Sequence, residues 1–160
     1  MKRLSIYLLS IFVLAGSLQA QTSKSAPEQQ NSIVDFSITM KDLALAAETQ
    51  DDRAIPINRA IILDGDIGTI TVYEDTDTSF VAEVELLNGI WVDEERVDLY
   101  RTYILFEGPQ FRPLFASRSS QRLKSGQTII VLATYEGLGV DYDKKTPVTV
   151  VRAIDMRKIY

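Results

Sequence analysis

Four groups of carboxylates stand close enough in sequence to share a cation or a reaction: Asp64 with Asp66, Glu74 and Asp75 with Asp77, Asp93 with Glu94 and Glu95, and Asp141 with Asp143. Calcium needs several hard oxygen ligands at once, yet none of these groups has the spacing of a complete calcium loop. Each falls at an expected strand bend or turn, where Asp is favoured because its side chain bonds its own backbone. Turn chemistry is therefore the expectation, and no metal ligand is assigned. Paired carboxylates set across a cleft also hydrolyse glycosides, which keeps a small carboxylate-based hydrolase as the alternative function. The sequence contains no His and no Cys. That excludes Ser-His-Asp and Cys-His nucleophile systems, the usual zinc sites and any disulfide. No catalytic residue and no cofactor is assigned, and the chain is read as a non-enzyme.

Positive charge collects in one place without a nearby carboxylate. In FEGPQFRPLFASRSSQRLKSGQ, Phe106 to Gln127, the residues Arg112, Arg118, Arg122 and Lys124 alternate with Phe111 and Phe115 between Glu107 and Glu136. Arginine's planar fork pairs with carboxylates and phosphates, and a flanking Phe adds stacking surface. These six residues are the candidate contact site. The competing reading is a connection that caps a barrel: a short helix begun after Pro113, Phe111 and Phe115 packed on the core, and the arginines in water. Trp91, Tyr100, Tyr103, Tyr135 and Tyr142 form a second candidate, a stacking platform. Strand aromatics are enriched for packing as well. Tyr100 shares a face with Thr102, Ile104 and Phe106, whereas Tyr103 lies with Arg101 and Leu105, so burial of the majority is expected.

The elements that must position these groups are mostly strands. Met40, Leu43, Ala44 and Ala47 recur at helical spacing behind Ser37 and Thr39, which predicts a capped helix over about 39–49. From Ile57 the period changes to two. A long first strand is interrupted by Gly65 and Gly68, the mark of a bulge or bend. The second carries Phe80, Ala82, Val84 and Leu86 on one face, with Glu83 and Glu85 on the other. A third runs through RVDLYRTYILFEG. QTIIVLATYEG is apolar on both faces and is expected to be central or enclosed. PVTVVRAIDMRKI makes the fifth.

A glycine-bent first strand, four further strands and a longer connection between the third and fourth resemble an OB-fold, a five-stranded, partly open Greek-key barrel. The ending LKSGQTIIVLATYEG, a loop, then PVTVVRAIDM is similar to that of small exported bacterial OB domains of the tRNA-anticodon-binding-like type. The resemblance spans about Ile57 to Ile159 and implies a mostly β fold: a small five-stranded OB-like barrel with one or two short helices.

The N-terminus bounds where such a domain works. MKR, the apolar run LSIYLLSIFVLA and SLQA have the layout of a signal peptide over residues 1–20. Cleavage is expected after Ala20 or Ser17, with an uncleaved anchor as the alternative. Residues 21–32 read as a flexible segment and 33–160 as the single OB-like domain. The formal charge is −5, and loss of Lys2 and Arg3 makes it −7. A negative field opposes broad attraction to nucleic acid. The expectation is therefore an exported domain, periplasmic or secreted, with no transmembrane span after signal removal. It would act as a non-catalytic binding or envelope-assembly module that meets an envelope protein or anionic polymer through residues 109–124. A purely structural envelope subunit is a further alternative, and nucleic acid is the disfavoured partner.

Overall fold

A computed structural model describes residues 34–76 and 78–159. The leader over 1–20, its cleavage site and the segment 21–32 lie outside the described residues. The chain order is β1 (Val34–Asp35), α1 (Met40–Thr49), β2 (Ala60–Asp75), β3 (Phe80–Trp91), β4 (Val97–Glu107), a 3-10 turn (Pro109–Leu114), β5 (Thr128–Val140) and β6 (Pro147–Lys158). The two-residue β1 pairs parallel to the start of β2. It is too short to show a period, and the sequence does not reveal it.

The five long strands close into a ring. β2 pairs antiparallel with β3 through Asp66–Asp75 and with β5 through Ala60–Asp66. β3 pairs antiparallel with β4, β4 runs parallel to β6, and β6 returns antiparallel to β5. One strand serving both halves of the barrel, with a parallel closure between the third and last long strands, is the OB arrangement. The protein is a mostly β, OB-like barrel with two short helical elements.

Closure requires β2 to bend, and the bend lies where its two partners exchange. The register with β3 shifts between Ile67 and Ile70. At Gly65 a Cβ would collide with the carbonyl oxygen of Leu87 on β3. Only glycine permits that approach. Alternation then sorts the faces of β3: Phe80, Ala82, Val84 and Leu86 point into the barrel, while Glu83 and Glu85 point out. β5 differs from expectation. Ile129, Val131, Ala133 and Tyr135 are buried, but Ile130 and Leu138 on the outer face are exposed. Flanked on both edges by β2 and β6, β5 is central in its pairing, but nothing among the described residues covers its outside.

Helix α1 covers the barrel by packing against β4 and β6. Met40, Leu43, Ala46 and Ala47 form its buried stripe. Its start is fixed by a reciprocal capping box. The Thr39 hydroxyl accepts from the Asp42 amide at 3.3 Å, and Asp42 Oδ2 accepts from the Thr39 amide at 2.9 Å. Its end is an αL residue, Gln50, with φ of 53°. Tyr135 then ties the following loop to the barrel by donating to Asp52 Oδ2 at 3.0 Å. Where β4 and β6 run side by side, Thr102 and Thr149 are fully buried with hydroxyl oxygens 2.8 Å apart. Thr102 also donates to the Thr149 carbonyl at 2.9 Å, so the buried polar pair is satisfied internally.

The β4–β5 connection departs from the expected helix. Gly108, at φ of 105°, turns the chain out of β4, and the 3-10 turn begins at Pro109 and contains Pro113. Pro113 thus lies inside the turn and does not start it. Among the described residues no helix is long and apolar enough to cross a membrane.

Candidate functional site

The connection splits into an apolar cap and a polar rim. Phe111 is buried to 6% exposure and meets Phe106 edge-on at 5.2 Å between ring centroids. Phe115 is half-buried, 5.2 Å from Phe80 and 5.4 Å from Phe106. Four phenylalanines from β3, β4 and the connection close this end of the barrel, each burying a large apolar area. Most of the Phe111 ring is taken up by this packing, and only an edge of it reaches the surface. Arg112 is also engaged. Its Nε lies 2.7 Å from Asp75 Oδ1 without a well-directed hydrogen bond, and its Nη2 donates to the Ser79 carbonyl at 3.5 Å. It fastens the cap to the turn between β2 and β3.

Arg118, Arg122 and Lys124 are exposed, and none has a carboxylate partner among the described residues. The structure adds a fourth cation from the far end of the chain. Lys158, at the end of β6, donates to the Arg122 carbonyl at 2.9 Å. Ser117, Ser119, Ser120, Arg122, Lys124 and Lys158, joined by Gln127, line a cavity of about 400 Å³ with no Asp or Glu in its wall. Sequence spacing cannot show Lys158 there, because 36 residues separate it from Arg122. The serines stand in the stretch itself, but only the fold turns them to one side.

The outer face of β2, β3 and β4 holds a different chemistry. Tyr103 Oη donates to Asp141 Oδ1 at 2.6 Å, and Arg101 pairs with both Asp141 and Glu85. Tyr142 Oη donates to Glu83 at 2.6 Å and lies 2.7 Å from Tyr73 Oη. The tip between β5 and β6 is thereby folded down over the sheet. This explains why Tyr103, on the outward side of β4, is 6% exposed. Burial first, and the Asp141 carboxylate next, push the Tyr103 phenol up. The Tyr142 hydroxyl, then burial and Glu83, do the same to Tyr73. The Tyr103 hydroxyl holds Asp141 below the ordinary carboxylate range. A glycoside-cleaving acid needs the reverse, a carboxyl kept protonated near neutrality. Trp91, Tyr100 and Tyr135 do not join this face as a platform. Tyr135 is buried, Tyr100 packs against the core, and Trp91 stands 70% exposed at the end of β3.

Asp93 and Asp143 do what turns require, whereas Asp66 makes a cross-strand bond from β2 to β5. Asp93 Oδ1 accepts from the amides of Glu95 and Arg96, and Asp143 accepts from Lys145 and Thr146. Asp66 accepts from Thr128.

Solved structures similar to this chain include two at low identity. One is the single-stranded DNA-binding protein of Plasmodium falciparum in complex with single-stranded DNA: 16% identity, TM-score 0.47, covering 63% of this chain and 94% of that one. The other is a deletion mutant of the Thermus aquaticus single-stranded DNA-binding protein: 17% identity, TM-score 0.45, covering 63% of this chain and 50% of that one. No family model and no curated protein matches the chain. The likeness is one of fold. The matching structures are single-stranded DNA-binding proteins, and against that finding the envelope-assembly reading, its hydrolase and structural alternatives and the disfavouring of nucleic acid are corrected. What this chain binds has to be argued from its own residues.

Proposed function

We propose that the domain binds single-stranded nucleic acid without converting it, and holds the phosphates on the connection between β4 and β5. One observation carries this reading: Arg122, Lys124 and Lys158 converge on a cavity whose wall has no carboxylate. Arg118 stands beside it in the same segment. Cations without carboxylate partners are the groups that displace condensed counterions from a phosphate chain. The formal charge of −5 does not cancel such a patch. Charges beyond the Debye length, about 8 Å at physiological salt, are largely screened, so a local cluster governs a local contact.

Of the residues named from sequence, Arg118, Arg122 and Lys124 are the proposed contacts. Phe111, Phe115 and Arg112 hold the connection in place. The acidic outer face, with Glu83, Glu85 and Asp141, repels phosphate, so the strand is expected to pass along the capped end of the barrel. Fluorescence anisotropy with a labelled single-stranded oligonucleotide tests the proposal. Binding that weakens with salt and is lost in an Arg122→Glu, Lys124→Glu variant supports it. Binding unchanged by the double reversal contradicts it. Export, with the likeness to exported domains of the tRNA-anticodon-binding-like type, is a separate proposal, tested by sequencing the N-terminus of the mature protein.

A further inference from the structure

We infer that the cavity beside Ser119 receives the terminal phosphate monoester of a strand, in preference to an internal phosphodiester. This rests on the nucleic-acid reading above. The distribution of hydrogen-bonding groups carries it. The loop's own amides occupy two of the cavity's side-chain acceptors, Ser119 Oγ and Gln127 Oε1. Ser119 Oγ accepts from the Gln121 amide at 3.1 Å, which leaves its O–H as a donor. Gln127 Oε1 accepts from the Lys124 amide at 2.9 Å, which leaves the side-chain NH₂. Lys158 gives one of its three N–H groups to the Arg122 carbonyl, and two remain. The Arg122 guanidinium and the Lys124 ammonium have no acceptor among the described residues. The wall therefore presents mainly donors and positive charge, with the Ser117 and Ser120 hydroxyls able to serve either way.

A ligand for such a wall is rich in acceptors and carries more than one negative charge. An internal phosphodiester offers two free oxygens and a single charge. A phosphate monoester offers three oxygens and a charge of about −1.5 to −2 at neutral pH, with a second pKa near 6. Three cations from two parts of the chain match the monoester. The space, about 400 Å³, is large enough to admit a phosphate group.

Anisotropy competition with oligonucleotides of one sequence tests this, their ends bearing a 5′-phosphate, a 3′-phosphate or hydroxyls only. The phosphorylated end is expected to bind about tenfold more tightly, the effect of roughly one charge-assisted hydrogen bond. The difference should shrink below pH 6 as the monoester takes up its second proton. It should disappear in Lys124→Glu and in Ser119→Ala with Gln127→Ala, while Arg118→Glu weakens all three ligands alike. Amide resonances of Ser119, Lys124 and Gln127 should also move on titration with inorganic phosphate. Equal affinity for phosphate-ended and hydroxyl-ended strands overturns the inference and leaves nucleic-acid binding intact. Absence of binding to every oligonucleotide overturns both.

Discussion

The hydroxyl of Tyr103, in the middle of β4, donates to Asp141 at the end of β5 across 2.6 Å, and this bond closes the β5–β6 tip over the outer sheet face. Tyr142 reinforces it from the same tip through Glu83 and Tyr73. Removing the Tyr103 donor as Tyr103→Phe leaves a largely buried carboxylate short of a partner. The expected cost is about 1.5–3 kcal/mol, the range for hydrogen bonds to charged groups, read from denaturant unfolding. Hydrogen exchange should rise at Lys144 and Thr146 in the same variant. A rise spread evenly over the barrel would mean that the bond does not hold the tip.

The same contact sets the pH limits of stability. Asp141 titrates lower when folded than when unfolded, so its contribution is present above the unfolded value, near 3.9, and is lost as pH falls through the folded one. Tyr73, Tyr103 and Tyr135 titrate higher when folded. Their contribution is complete below the unfolded value, near 10, and is lost as pH rises beyond it. Stability should therefore be flat from about pH 5 to pH 9 and fall on both sides. Asp141→Asn should flatten the acid limb, and Tyr135→Phe should soften the alkaline one. A steep slope between pH 5 and 9 would contradict this, because no histidine is present to titrate there.

Helix α1 is expected to be part of the folding unit. Leu43 is wholly buried between the helix and the barrel, and Leu43→Ala should cost about 2–5 kcal/mol. Thr39→Ala, which opens the capping box, should cost about 1 kcal/mol. Unfolding followed by tyrosine fluorescence and by far-ultraviolet dichroism should remain coincident. Separate transitions would show the helix to be an appendage.

Much of this was readable from residue order. The Phe80-Ala82-Val84-Leu86 alternation fixes the inward face of β3, and Gly65 and Gly68 mark the bend that lets β2 pair with two strands. Thr39 and Asp42 announce the start of α1 locally. What sequence order hides is contact between distant segments. Tyr103 lies on an outward strand position and is buried because a tip 38 residues later folds onto it. Lys158 joins the basic cavity across 36 residues. Ile130 belongs to an apolar run but faces outward, since hydrophobicity alone does not say which side of a strand is covered. Phe111 and Arg112 are drawn out of the candidate contact site by partners on β4 and β2, which spacing within the segment cannot disclose.

Arg112 and Arg122 should therefore separate in experiment. Arg112 pairs with Asp75 at a partly exposed position, so Arg112→Ala should lower stability by no more than about 1 kcal/mol. It should leave oligonucleotide affinity almost unchanged. Arg122→Ala should do the opposite. If Arg112→Ala instead weakens binding as strongly as Arg122→Ala, the division between cap and contact is wrong.

The most direct test is the salt dependence of single-stranded oligonucleotide binding, compared between the native chain and the Arg118→Glu, Arg122→Glu, Lys124→Glu variant. Each phosphate neutralised by a cation contributes about −0.7 to the slope of log K against log salt. Contacts from Arg118, Arg122, Lys124 and Lys158 give an expected slope of roughly −2 to −3. The variant should bind too weakly to measure while its unfolding midpoint stays close to the native one. A native chain that binds no oligonucleotide at low salt, or a variant that keeps the full slope, would contradict the account.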